Sequence, residues 1–91
     1  MKRKEIIKIL KGIIRKNRIK KAYLFGSFAR GQAKYNDIDI AIEPPKGFTL
    51  LDLARMANKI EEKVGVQVDL VTTRSMHPKL KIIVEKEMIT L

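Results

Sequence analysis

The segment Asp37-Ile38-Asp39-Ile40-Ala41-Ile42-Glu43 constrains this chain more than any other stretch of it. Period-two alternation puts Ile38, Ile40 and Ile42 on one face of a strand, with Asp37, Asp39, Ala41 and Glu43 on the other. Pro44-Pro45-Lys46-Gly47 follows directly and ends the strand, because proline cannot supply a ladder N–H.

The neighbouring segments supply what that strand needs to bury its isoleucines. Residues 3–17 read as an amphipathic helix, with Ile6, Leu10, Ile13 and Ile14 in one stripe and Lys8, Lys11, Arg15 and Arg18 on the other side. Lys21–Phe25 is a short apolar strand. Phe28-Ala29-Arg30 suits one or two helical turns stopped by Gly31, and Gln32–Asn36 is a polar loop. Thr49 with Asp52 three residues on marks a helix start. Its expected buried face is Leu50, Leu53, Ala54, Ala57, Ile60 and Val64, with Gly65 as the stop. Val66–Val71 alternates again, leaving Gln67 and Asp69 opposite an apolar side. Pro78 opens a last helix to about Lys86, carrying Leu80, Ile83 and Val84. Met88–Leu91 suits a short edge strand. The order α-β-α-β-α-β-α, with a final β, predicts an α/β fold (α+β by sheet type), a small mixed sheet with helices packed on one face.

Ninety-one residues suit a single domain spanning 1–91. The absence of cysteine removes disulfides, thiolate metal sites and cysteine nucleophiles. No apolar stretch approaches a membrane span, and no signal peptide is visible, so a soluble, cytoplasmic protein is expected. Twenty Lys+Arg against ten Asp+Glu give a net charge of +10. Ten of those cations fall in the first 21 positions against one acid, Glu5. The basic first helix is then a solvated face or a docking surface for a partner or RNA. Enrichment in Lys, Ile and Glu also fits a heat-adapted proteome.

Carboxylates are scarce here, which makes their placement informative. Asp37 and Asp39 leave one strand face about 6.5–7 Å apart at their Cα atoms, able to converge on one hard cation or bridge two. Asp69 lies on the face of its strand opposite the core. If the two strands are neighbours, all three acids share one face, and carboxylates with substrate phosphates are a common way to hold Mg²⁺. Solvent-facing acids are the ordinary alternative. Gly26-Ser27 supplies the other half: glycine after a strand permits close backbone approach, and serine adds a hydroxyl beside exposed N–H donors. Arg30, one turn on, could reach the same anion. A plain helix N-cap is the commoner use of Gly-Ser. The conjunction of both motifs at a set spacing should arise by chance in roughly one in a thousand such chains, which weighs against both plain readings.

Gly26-Ser27-Phe28-Ala29-Arg30-Gly31, a gap of nine residues after Ser27, then Asp37-Ile38-Asp39 resembles the signature of the polymerase-beta-like nucleotidyltransferase superfamily. Within it the chain resembles the minimal nucleotidyltransferase (MNT) proteins, from leading helix to the strand bearing Asp69. Many of these carry ten residues in the gap, and often arginine where this chain has Phe28. The resemblance implies that Asp37, Asp39 and Asp69 are catalytic, the first two holding two Mg²⁺ ions and Asp69 completing the metal site nearest the attacking hydroxyl. Gly26, Ser27 and Arg30 would hold the triphosphate of ATP. It also implies a HEPN-family toxin as partner: an antitoxin that attaches AMP to a toxin tyrosine. Rival readings are a non-catalytic antitoxin acting by complex formation, and a nucleotidyltransferase acting on a small molecule or an RNA 3′ end. In either catalytic case the open acid face would need a partner chain or dimer to complete it. Elsewhere, His77 is expected as an exposed helix-start residue, Tyr23 and Tyr35 as packing residues with Tyr35 a candidate base contact, and Glu43 and Lys34 as bystanders.

Overall fold

The computed structural model of the chain describes residues 1–35 and 37–91, apart from the side chains of Ile83 and Glu87. Alternation in the sequence becomes a four-stranded sheet in the order β3-β2-β1-β4, built from β1 (Lys21–Phe25), β2 (Asp37–Glu43), β3 (Gln67–Thr72) and β4 (Ile89–Thr90). β1 runs antiparallel to both β2 and β4, whereas β2 and β3 are parallel. The sheet is therefore mixed, as the element order predicts. Two parallel neighbours need a crossover, and the helix between them supplies it.

Three helices pack on one face. α1 (Arg3–Lys16) buries Ile6, Leu10, Ile13 and Ile14, the stripe read from the sequence. Arg18 lies beyond its end. α2 (Gly26–Ala29) is one turn, burying Phe28 and Ala29. α3 (Leu50–Val64) buries Met56, Ile60 and Val64. These meet Ala22, Leu24, Ile38, Ile40, Ile42, Val68 and Leu70 in a shared core. Each fully buried Leu, Ile or Phe there contributes about 1.5–3 kcal/mol by leaving water.

α3 begins at a reciprocal capping box, in which the Thr49 N–H donates to Asp52 Oδ2 at 2.8 Å and the Asp52 N–H donates to Thr49 Oγ1 at 3.2 Å. It ends at Gly65, whose left-handed φ of +70° is open to glycine at little cost. Its expected buried face needs correction at two positions. Leu50 is 83% exposed in the first turn of the helix, and Ala54 is exposed because it lies outside the contacting stripe of Met56, Ile60 and Val64. Met56 takes the core position instead. At the far end the Glu61 carboxylate accepts the Val68 N–H at 2.8 Å, tying α3 to the start of β3.

α4 (Pro78–Glu87) packs outside the main core, although it touches α2. Val84 is buried outside the main core, and it lines a cavity of about 230 Å³ with Tyr23, Ala41, Met76 and Met88. Tyr23 and Ala41 point away from the isoleucine side of the sheet, so α4 lies against the far end of the acid face. Ala41 is fully buried there, whereas Asp37 and Asp39 on the same face are half-buried. Leu80 of α4 is exposed, and the expected apolar role of Ile83 lies outside the described residues, as does Asn36 in the polar loop. No helix among the described residues is long and apolar enough to cross a membrane.

Candidate functional site

The parallel pairing of β2 and β3 places Asp39 directly beside Asp69, with Asp37 beside Gln67. Neighbouring strands lie about 4.8 Å apart, and identical pleat phase sends both aspartates off the same face. The condition on which the shared acid face depended is met. Asp37 and Asp39 are half-buried and Asp69 is exposed.

On the other side, antiparallel pairing sets Phe25 beside Asp39, and the chain then turns at Gly26. Gly26 adopts φ +76°, and a Cβ there would sit 2.2 Å from Asp39 Oδ2. Only glycine lets the backbone lie against that carboxylate. The glycine read as permitting close approach does so, and what it approaches is the acid pair.

Ser27 is not a helix cap. Extended Phe25 takes the N-cap position without a side-chain bond, and Ser27 lies half-buried inside the single turn. The ordinary capping use of Gly-Ser therefore does not account for it. Arg30 closes the turn, exposed, and its guanidinium field reaches Asp39.

Electrostatics show which groups are gathered. Burial pushes the Asp39 carboxyl above its ordinary value, the charges of Asp69 and Asp37 push it further, and Arg30 partly offsets them. Two anions beside a third group of like charge make a site that a cation would stabilise. The donors are all oxygen, as hard cations prefer. Among the described residues, no three acids or imidazoles enclose an ion by themselves. Phosphate oxygens from a substrate would complete the shell, which is the usual arrangement for Mg²⁺.

The other singled-out residues fall into structural roles. His77 is exposed and caps α4, its Nδ1 accepting the Lys79 N–H at 3.2 Å. Glu43 is exposed and 4.0 Å from the Lys21 ammonium, a surface pair of small worth. Tyr35 packs edge-on against Phe28, with ring centroids 4.9 Å apart, and Lys34 is exposed. Lys4, Lys8, Lys11, Arg15 and Lys16 line the exposed side of α1. Sequence reading gave Arg3 no role beyond its charge. Its guanidinium bonds the carbonyls of Phe28 and Ala29, a contact 25 residues away that leaves no local signal.

Known proteins carry the same architecture. A predicted protein adenylyltransferase of Methanocaldococcus jannaschii is 46% identical over 70 residues, spanning 76% of this chain and 75% of that protein. An MNT antitoxin of Shewanella oneidensis, solved in complex with a tri-AMPylated HEPN toxin, superposes with a TM-score of 0.78 at 25% identity, covering 98% of this chain and 71% of that one. A toxin–antitoxin complex solved with AMP-PNP gives 0.76 at 29% identity, covering 99% and 72%. Residues 4–91 match the family described as the nucleotidyltransferase domain, and with the shared fold this makes the chain a member of that family, among the minimal nucleotidyltransferases.

Proposed function

We propose that this nucleotidyltransferase is an antitoxin that transfers AMP from ATP to a tyrosine hydroxyl of a HEPN ribonuclease toxin and silences it. One observation carries the reading: Asp39 and Asp69 stand side by side in parallel register, with the Gly26 backbone lying against the Asp39 carboxylate. Similarity to an antitoxin solved with a tri-AMPylated HEPN toxin supports the choice of acceptor.

In this reading Asp37 and Asp39, with Asp69, would hold two Mg²⁺ ions, which would supply charge stabilisation at the transferred phosphoryl group. Gly26 and Ser27 place N–H donors and a hydroxyl at the triphosphate, and the Arg30 guanidinium faces the same anion. Asp69, the exposed member, takes the phenolic proton as the tyrosine oxygen bonds to the α-phosphorus. The bond from that phosphorus to the bridging oxygen breaks in line, and pyrophosphate leaves. α4 lies against the Ala41 part of this face, and Asp69, the exposed acid, is the one open to a partner's side chain. The similar complexes name a protein partner, and nothing in them adds support for RNA along α1.

Incubating the chain with ATP, Mg²⁺ and a HEPN ribonuclease encoded beside it should add the mass of one or several AMP units to the toxin. Mass spectrometry reads the outcome. Neutralised ribonuclease activity with no added mass would leave the chain an antitoxin by complex formation and sink the enzymatic reading.

A further inference from the structure

The signature turn that carries Gly26, Ser27 and Arg30 is a single helical turn, and a single turn does not hold itself. Nucleation fixes several residues for one hydrogen bond, so a four-residue helix is unstable without outside contacts. Its carbonyls draw on donors that follow the turn and on α1. Gly26 O accepts the Arg30 N–H at 3.1 Å and Ser27 O accepts the Gln32 N–H at 3.2 Å. Phe28 O accepts the Gly31 N–H at 3.1 Å, and Phe28 O and Ala29 O both accept from Arg3, the first residue of α1, the second at 3.2 Å. A guanidinium fork at this end matches the negative pole of the turn.

The same guanidinium lies over the Phe28 ring, 4.7 Å from its centroid. Phe28 is 1% exposed and meets the Tyr35 ring edge-on at 4.9 Å and 78°. Tyr35 stands two residues before Asp37, where the chain enters β2. A continuous stack of Arg3, Phe28 and Tyr35 therefore connects the two halves of the site: the turn with Gly26 and Ser27, and the strand with Asp37 and Asp39.

We infer that Arg3 is a positioning residue for nucleotide binding, its guanidinium clamping the α2 carbonyls so that the Gly26-Ser27 turn and Arg30 stay aligned with the acid pair. The inference rests on the phosphate-holding role proposed above for that turn. Arg3 touches neither substrate nor metal in this account. It acts through Phe28 and Ala29.

Arg3→Lys keeps the charge but loses the planar fork, which can bond two carbonyls while stacking on a ring. Arg3→Met keeps the stem and loses both. Amide hydrogen exchange across residues 26–31 should speed up in both variants, by about tenfold or more in Arg3→Met, while exchange in β2 and α3 is unchanged. Affinity for the ATP analogue AMP-PNP with Mg²⁺, measured by calorimetry, should weaken about fivefold in Arg3→Lys and about tenfold in Arg3→Met. In turnover assays the loss should fall on the KM for ATP more than on kcat. A merely structural arginine would lower the melting temperature and leave the folded protein's affinity and KM alone.

Unchanged exchange across 26–31 overturns the clamp. Faster exchange with unchanged AMP-PNP affinity overturns its link to nucleotide binding. Should the unaltered chain bind no AMP-PNP at all, the site reading fails together with that link, and the exchange measurement still decides whether the clamp exists.

Discussion

The two faces of β2 make opposite use of one strand. Ile38, Ile40 and Ile42 are each 0% exposed, pressed under the helices, whereas Asp37 and Asp39 stand half-buried on the other side, where Arg30 only partly offsets the like charges around Asp39. The apolar face lowers the free energy of the fold. The acid face raises it, because burial and two like charges oppose ionisation of Asp39. A chain of this size with few acids would gain stability by losing them there. Their presence together on that face is therefore best explained by what they bind.

The most severe test separates the faces by paired substitutions. Asp39→Asn should cut AMP transfer by roughly a thousandfold or more, with no loss of melting temperature. Ile40→Ala, one residue along, should destabilise the protein by about 2–5 kcal/mol through lost transfer energy and the cavity left behind. Whatever fraction of it stays folded should keep activity per molecule. An Asp39→Asn protein that unfolds, or one that transfers AMP normally, would break the comparison.

Much of this contrast was legible before any coordinates. Strict alternation across Asp37–Glu43 fixes which residues share a face, and pairing of β2 with β3 needs only the parallel crossover that a helix between two strands provides. The capping box at Thr49 and the stop at Gly65 are local chemistry, written in adjacent residues. What escaped was long-range. Ala41 shares the phase of the acids, yet it is buried because α4, some forty residues on, crosses over it. Leu50 has the right spacing for the core but is 83% exposed, and periodicity does not encode where a layer ends. Arg3 reads as one more surface cation until the fold brings it to the α2 carbonyls.

Gly26 sharpens the comparison at the point where the acid face meets the backbone. Gly26→Ala meets two penalties at once: a left-handed φ of +76° costs about 1–2 kcal/mol for an L residue, and the new methyl would occupy the space of Asp39 Oδ2. Displacing that carboxylate should lower AMP transfer by about tenfold to a hundredfold, well beyond what the loss of stability accounts for. Combining Gly26→Ala with Asp39→Ala isolates the clash. The double variant should recover part of the stability lost by Gly26→Ala alone, leaving only the backbone strain. Strict additivity would mean that Asp39 simply rotates away, and the close packing of turn and acid would then carry no energetic weight.

The smallest expected effect lies in how the two kinds of aspartate respond to pH. Asp39 has its carboxyl raised above 3.8 in the folded state, so its contribution to stability is full below the unfolded value and is lost as pH rises through the folded one. Asp52, held low by the Thr49 backbone and hydroxyl bonds, behaves in the opposite sense: its contribution is present at neutral pH and is lost on acidification through its folded value. Melting temperatures in EDTA should therefore show Asp39→Asn more stable than the unaltered chain at pH 7, with the gap closing as the pH falls toward 4. Asp52→Asn should be less stable at pH 7, with its gap also closing on acidification. Added Mg²⁺ with nucleotide ought to reverse the sign at Asp39 alone, because a bound cation favours the charged form that the empty site resists. If Asp39→Asn is the less stable protein even in EDTA, the carboxylate is held by contacts inside the fold, and the acid face is not the strained surface that its burial and charge describe.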